Sequence, residues 1–224
     1  MTPLTYFTIS MIMIFVIYNF VYKNDVLNLT TTKIKADDEH FYIVRKSKFS
    51  DTTQTEAANI ISKVIYTVNT IVKYMCENDL PTSEIAYRLQ YRWKNTVVRE
   101  IAAHEDTAAY TVNKGEEMRL CIRKEDGTFH DFNHLAFVVL HELGHMMSIS
   151  YGHDEEFQSN FDAVIHIASS IGLYTPEDFD KNPIVYCGIK VTSSPCFWGT
   201  GECDNLDKPT LEYETEKPIN CGES

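Results

Sequence analysis

The sequence predicts an α+β fold: a small domain of helices and a short antiparallel sheet, preceded by one N-terminal transmembrane helix. The helix is predicted because residues 4–22 contain no charged residue and are mostly apolar. In the domain, residues 57–75 and 131–149 repeat apolar side chains at helical spacing. Residues 107–112 and 118–123 are rich in strand-forming residues and flank Asn113-Lys114-Gly115, which predicts a paired sheet.

The predicted transmembrane segment has two alternatives, a cleaved signal peptide and a buried helix. A signal peptide is disfavoured because no Lys or Arg precedes the apolar run and no small-residue cleavage site follows it. A single-pass membrane localisation is therefore expected. Lys23, Lys33 and Lys35 favour a cytosolic domain, whereas the glycosylation sequon at Asn28 and the six Cys residues favour an oxidising compartment.

The predicted domain contains four helices. Asp51 or Thr53 is suited to cap the first, and residues 83–93 predict a second, shorter one. The third covers residues 131–149 and the last runs from about Asp154 to residue 171. The predicted organisation is a transmembrane anchor at 4–22, a juxtamembrane stalk at 23–50, a folded domain at 51–186 and a Cys-containing acidic tail at 187–224.

The composition limits the classes of function. The chain has 224 residues, with 44% hydrophobic and 23% charged residues, which are values of a globular protein. Its 20 Lys and Arg face 32 Asp and Glu, for a net charge of -12. Because nucleic-acid binding depends on clustered positive charge, no nucleic-acid partner is expected.

The motif His141-Glu142-Leu143-Gly144-His145 lies near the end of the third predicted helix. Residues i and i+4 share one helical face, so both imidazoles are able to bind one Zn²⁺. Glu142 is then placed to accept a proton from a water molecule at the metal. The preceding residues 135–140 are all apolar, which indicates a buried helix. The motif therefore predicts zinc-dependent hydrolysis.

A catalytic zinc site needs a third protein ligand. The preferred candidate is His153, because Gly152 permits the chain to turn back toward the helix end. The alternatives are on the last predicted helix: Glu155, Glu156, Asp162 and His166.

These residues resemble a known family. The stretch from His141 through His153 to Phe157 resembles the WLM metallopeptidases and the related SprT-like group, and residues 110–188 are similar to membrane-anchored WLM-like proteins of large DNA viruses. The resemblance implies a zincin-like metallopeptidase domain, with zinc bound by His141, His145 and His153 and Glu142 as general base. The expected partners are a protein or peptide substrate and, through the N-terminal helix, a membrane.

A non-catalytic, zinc-stabilised membrane scaffold is the alternative function.

Other residues carry further predictions. Tyr151 and Tyr174 are candidates to stabilise an oxyanion, and His134 is a candidate to support the site from the same helical face. Cys76 and Cys121 are expected to be buried thiols, while disulfides or free thiols are expected among the four tail cysteines.

Overall fold

A mixed five-stranded sheet and a two-stranded hairpin, with helices packed against the main sheet, form the architecture of the chain in a computed structural model. The structure describes residues 5, 6, 8–15, 31–46, 51–102, 107–124 and 126–195. The helices of the domain are α1 (Asp51–Asn78), α2 (Ser83–Trp93), α3 (Phe132–Met147) and α4 (Glu155–Ser170). The strands are β1 (Thr31–Lys35), β2 (Phe41–Arg45), β3 (Val97–Glu100), β4 (Ala109–Val112), β5 (Glu117–Leu120), β6 (Ile184–Tyr186) and β7 (Ile189–Val191).

The main sheet has the order β1-β2-β3-β5-β4. The predicted antiparallel pair is confirmed as β4 and β5, with Thr111 opposite Met118. The whole sheet is mixed, however, because β3 pairs in parallel with both β2 and β5. β4 is an edge strand and contacts α3, so the end of the sheet reaches the helix that carries the two-histidine motif.

The N-terminal region differs from its prediction in two ways. In place of a stalk, residues 31–45 form β1 and β2, which are the first two strands of the main sheet. Among the described residues, no helix is long and apolar enough to cross a membrane. This finding contradicts the predicted transmembrane helix and the single-pass membrane localisation.

Within the proposed span, the described residues 5, 6 and 8–15 are helical. Of the proposed span, residues 4, 7 and 16–22 lie outside the described residues, as do Lys23 and Asn28.

Local signals in the sequence position the helices. The buried residues of α1 recur every three or four positions and form its core face: Ala57, Ile61, Val64, Val68, Ile71 and Met75. Asp131 caps α3 by accepting a hydrogen bond from the Asn133 amide at 2.7 Å, and Asp154 caps α4 through the Phe157 amide at 3.1 Å. The predicted helices 131–149 and 154–171 are thereby confirmed to within two residues.

A buried ion pair joins β3 to the chain that follows β5. Glu100 and Arg123 are almost fully buried, and the Arg123 Nε lies 3.1 Å from Glu100 Oε1. The backbone amide of Arg45 also donates to Glu100 Oε2 at 2.6 Å. Burial raises the pKa of Glu100, and the charge of Arg123 opposes that shift. Removing Glu100 would leave the Arg123 charge buried without this partner.

The C-terminal hairpin is fastened to the sheet. β6 and β7 pair antiparallel across Cys187-Gly188, both with positive φ, which suits a two-residue turn. Cys187 forms a disulfide with Cys121, which directly follows β5. The prediction that Cys121 is a buried thiol is therefore wrong, because its partner comes from a hairpin that the sequence did not predict. Residues 196–224, with the remaining tail cysteines, lie outside the described residues.

A hydrogen-bonded carboxylate ties the β1–β2 turn to α1 and makes a pH-dependent prediction. The Ser62 hydroxyl donates to Asp38 at 2.6 Å and the Tyr42 hydroxyl at 2.5 Å, and these bonds lower the pKa of Asp38 to about 2. Because the folded pKa lies below the ordinary pKa of an Asp carboxyl, about 3.9, this stabilisation is present above that value and is lost as pH falls toward 2. We expect Asp38→Asn to lower the melting temperature at neutral pH, with the difference from wild type shrinking at acid pH.

Thermal melts of both proteins across this pH range provide the measurement. Ser62→Ala is the matched control, since it removes one of the same hydrogen bonds and should make Asp38→Asn less damaging. A melting difference that stays constant from neutral pH to pH 2 would contradict the assignment.

Candidate metal centre

Helix α3 presents two imidazoles on one face. His141 and His145 are one turn apart, and their ring centroids lie 4.9 Å from each other. The helix also buries the apolar side chains Leu140, Leu143 and Met146. The two rings are therefore held at the boundary between the core and the surface.

The third imidazole comes from the loop between α3 and α4. The ring of His153 lies 4.9 Å from the ring of His141 and 4.9 Å from that of His145, measured between centroids. The Nε2 atoms of His141 and His153 are 3.0 Å apart. One ligand atom from each of the three residues falls within 4.8 Å of the others. The fold thus brings the three histidines of the sequence motif together.

This geometry fits a tetrahedral metal ion. Zinc bound at about 2.0–2.1 Å separates two ligand nitrogens by about 3.3 Å, which is near the spacing of the His141 and His153 nitrogens. Burial, followed by the neighbouring imidazoles, lowers the pKa of His141 to about 3. Burial and the His153 ring likewise lower the pKa of His145 to about 4. Both rings are therefore neutral at physiological pH, which is the form that binds metals.

The alternative ligands make other contacts. Glu156 accepts hydrogen bonds from two backbone amides of the loop, and Asp162 lies 3.4 Å from His166 on its own helix. Glu155 is exposed in the first turn of α4. Of the residues considered from the sequence, His153 is the one that meets the pair on α3.

Two aromatic rings of α4 pack directly against the histidines. Phe157 stacks on His145 at 4.3 Å between centroids, and Phe161 lies 5.1 Å from His141. This contact requires a small residue on α3. A Cβ added at Gly144 would lie 3.1 Å from Phe157 Cε2 and 3.1 Å from Phe161 Cβ. Gly144 therefore allows α4 to approach the centre closely.

Positively charged side chains hold the C-terminal end of α3 and the start of the loop. Arg92 donates to the carbonyl oxygens of Met146 at 2.5 Å and Ser148 at 2.7 Å. Arg88 donates to the Met147 carbonyl at 2.6 Å. A helix leaves its last carbonyls without intrahelical partners and carries a partial negative charge there, so these cations stabilise the end of α3.

Lys114 and Glu156 fix the next part of the loop from opposite sides. Lys114 Nζ donates to the carbonyls of Ser148 at 2.8 Å and Ile149 at 3.1 Å, and also to that of Ser150. Glu156 accepts from the amides of Ile149 at 2.8 Å and Ser150 at 2.9 Å. Partial burial acts to raise the pKa of Glu156, but these hydrogen bonds prevail and lower it to about 2. The backbone that leads to His153 is held at both its carbonyls and its amides.

Glu142 is buried and receives a hydrogen bond from the edge strand. Glu142 directly follows His141 on α3, and Thr111 Oγ1 on β4 donates to Glu142 Oε2 at 2.8 Å. Burial raises the pKa of Glu142, and hydrogen bonds from the side chain and the backbone of Thr111 oppose that shift. The strand therefore orients the carboxylate.

The other residues that the sequence suggested, His134, Tyr174 and Tyr151, make different contacts. His134 pairs with Glu177 at 3.1 Å. Tyr174 is buried against Phe137, with ring centroids 6.2 Å apart, whereas Tyr151 is 85% exposed at the rim of the loop. Lys114 Nζ lies 4.5 Å from the centroid of the Tyr151 ring.

Sequence reasoning missed Thr111 and Lys114, although it placed both in the predicted hairpin. Thr111 was a strand residue and Lys114 a turn residue, and neither carries a local sign of contact with α3. Their roles depend on the edge position of β4, which only the sheet order reveals.

The fold and the three-histidine group define an α+β domain with a candidate metal centre at the junction of two helices. The chain belongs to the WLM domain family, whose sequence profile matches residues 84–216. Membership of this family is compatible with a metallopeptidase-like function. The predicted resemblance to the family is confirmed.

Viral proteins are among the relatives. The chain is 29% identical over 142 residues to uncharacterized protein R325 of Acanthamoeba polyphaga mimivirus, which covers 61% of this chain and 71% of that protein. It is 37% identical over 95 residues, or 41% of its length, to uncharacterized protein 136R of Invertebrate iridescent virus 6. It is 38% identical over 87 residues, or 38% of its length, to uncharacterized protein 042R of Invertebrate iridescent virus 3. The matches span 51% and 52% of the two iridescent-virus proteins. No solved structure matches the chain significantly.

The close helix contact at Gly144 predicts the result of a one-carbon substitution. Gly144→Ala would force α4 and its Phe157 ring away from the histidines. We expect a loss of about 1–3 kcal/mol in the free energy of unfolding, as is typical of overpacking. Because Phe157 supports His145, we also expect zinc affinity to fall by about tenfold or more. Denaturant unfolding and competition with a chromophoric chelator measure the two effects.

Gly172→Ala is the matched control. Gly172 follows α4 at the end opposite the centre and has a φ of +72°, so the substitution should strain the backbone without changing zinc affinity. Unchanged stability and affinity in Gly144→Ala would contradict the role assigned to this contact.

Proposed function

We propose that this protein is a zinc-dependent metallopeptidase with a zincin-like domain. His141, His145 and His153 would hold the ion, and Glu142 would be the general base. The proposal rests chiefly on one observation: three imidazole nitrogens converge within 4.8 Å of one another. Glu142, the residue after the first of these histidines, is buried. The family match supports the same reading. The substrate class is a protein or peptide.

When bound, zinc acts as a Lewis acid that polarises the scissile carbonyl and acidifies a water molecule. The chain's own residues supply the proton transfers. Thr111 engages Oε2 of Glu142 and orients the carboxylate, which would take the proton from the attacking water. The same carboxylate would then deliver the proton to the nitrogen of the leaving amine.

The position of His153 requires the loop to stay ordered. His153 is exposed, so its own packing holds it weakly. The hydrogen bonds from Lys114 and to Glu156 fix the preceding backbone instead. We infer that this loop, together with the edge strand β4, forms the boundary of the substrate site, since both adjoin Glu142 and the histidines.

Removal of the general base tests catalysis directly. Glu142→Gln should keep the fold and the bound zinc but lower kcat by about 10²–10⁴-fold, the usual contribution of general-base catalysis. The measurement is cleavage of a proteome-derived peptide library by the full chain, analysed by mass spectrometry beside zinc content. Equal cleavage by wild type and variant would instead support a non-catalytic, zinc-stabilised scaffold.

Two histidine variants serve as a matched pair in the same assay. His153→Ala should lose bound zinc and activity together. His166→Ala should keep both, because His166 contacts Asp162 on α4. Zinc retention by His153→Ala would overturn the proposed ligand set without affecting the role of Glu142.

The hydrogen bond from Thr111 predicts a graded effect on rate. Thr111→Val keeps the shape of the side chain but removes the hydroxyl donor, and a hydrogen bond to a charged group contributes about 1.5–3 kcal/mol. We expect kcat to fall about tenfold or more while zinc content and KM change little. Thr111→Ser restores the hydroxyl and should recover most of the rate. Steady-state kinetics on one cleaved peptide would decide; equal rates for the Val and Ser variants would exclude a positioning role.

A further inference from the structure

A second cluster of metal-binding side chains lies at the opposite end of α3 from the three histidines. It consists of Cys121, His130 and Cys187, and one ligand atom from each falls within 4.8 Å of the others. Cys121 follows β5, His130 precedes α3, and Cys187 lies in the β6–β7 turn. Three separate segments of the chain therefore bring these side chains together.

Backbone hydrogen bonds build the cluster. Arg123 and Phe129 form an antiparallel bridge. The His130 amide then donates to the Ile122 carbonyl at 3.1 Å, which sets His130 beside the end of β5. On the other side, the Tyr186 hydroxyl donates to the Cys121 carbonyl at 2.5 Å, and Tyr186 is almost fully buried. The segment that carries His130 and the β6–β7 hairpin are thus both fixed against the end of β5.

His130 is directed at the sulfur atoms. Its Nε2 lies 3.1 Å from Cys187 Sγ, and its ring packs on Tyr186 with centroids 4.2 Å apart. The sulfur atoms of Cys121 and Cys187 are joined as a disulfide. A disulfide that only links the end of β5 to the β6–β7 hairpin needs no imidazole beside its sulfur atoms. The orientation of His130 toward the sulfur atoms therefore requires a separate explanation.

We propose that Cys121, His130 and Cys187 bind a second zinc ion when the disulfide is reduced. Two thiolates and one imidazole form a known zinc donor set, with a water molecule in the fourth position. Reduction by a thiol or phosphine breaks the sulfur–sulfur bond and adds two electrons and two protons, giving two thiols. Zinc then displaces both protons and bonds to the two thiolates and to Nε2 of His130.

The zinc and disulfide forms hold the same contact between β5 and the β6–β7 hairpin. The second site is therefore independent of the proposed peptidase chemistry, since it shares no residue with the three-histidine group. The hairpin remains attached to the domain in reducing and in oxidising surroundings.

Zinc stoichiometry of the full chain tests the proposal. Under argon with a phosphine reductant, followed by removal of loose metal, wild type should hold about two zinc ions. Cys121→Ser/Cys187→Ser and His141→Ala/His145→Ala should each hold about one. Oxidised wild type, with the disulfide verified by thiol titration, should also hold about one. Equal zinc content in reduced wild type and the Cys121→Ser/Cys187→Ser variant would overturn the proposal.

Cobalt substitution distinguishes the two centres by their ligands. Thiolate ligands give Co²⁺ intense near-ultraviolet charge-transfer absorption, whereas a three-histidine site does not. Reduced wild type and His141→Ala/His145→Ala should both show this band, and His130→Ala should weaken it. Cys76→Ser and the tail variant Cys196→Ser/Cys203→Ser/Cys221→Ser are the matched controls and should keep it. Loss of the band in the tail variant, with retention in Cys121→Ser/Cys187→Ser, would assign the thiolates elsewhere.

Discussion

The close contact between α3 and α4 at Gly144 is the constraint on which the candidate centre depends. It allows Phe157 to stack on His145 and brings the start of α4 near enough for the short preceding loop to deliver His153. The loop is then fixed by charges: Arg88 and Arg92 bind the last carbonyls of α3, and Lys114 binds the next ones. Although the chain has a net charge of -12, these three cationic side chains donate hydrogen bonds to backbone carbonyls at the site.

The features that could be predicted from the sequence are those specified by nearby residues. The caps at Asp131 and Asp154 and the apolar repeats define α3 and α4, and the α+β class follows from them and from the β4–β5 pair. His141 and His145 are four residues apart, which is about one helical turn. Their position on one face of α3 is therefore also specified locally. The return of His153 could also be anticipated, since Gly152 has the positive φ that a reversal requires.

The features that could not be predicted depend on distant partners. β1 has a polar sequence and becomes a strand because β2 pairs with it. β3 contains Arg99 and Glu100, and charged residues indicate a buried strand only when their partners, here Glu117 and Arg123, are known. The predicted membrane helix was wrong, since no helix among the described residues is long and apolar enough to cross a membrane. Thr111 and Lys114 reach the centre through the order of strands, which no local pattern encodes.

The bond between Cys121 and Cys187 has a topological consequence. It joins residues 66 positions apart, and the ring of chain that it closes contains α3, α4 and all three histidines of the candidate centre. Closing a ring of this size restricts the unfolded chain by about 4 kcal/mol in the simplest entropic treatment. A single backbone cut within the ring would leave both fragments covalently joined. The residues of the candidate centre on α3 and α4 and in the loop between them thus lie within the disulfide-closed segment. The edge strand β4 lies outside this segment, and its Thr111 donates a hydrogen bond to Glu142.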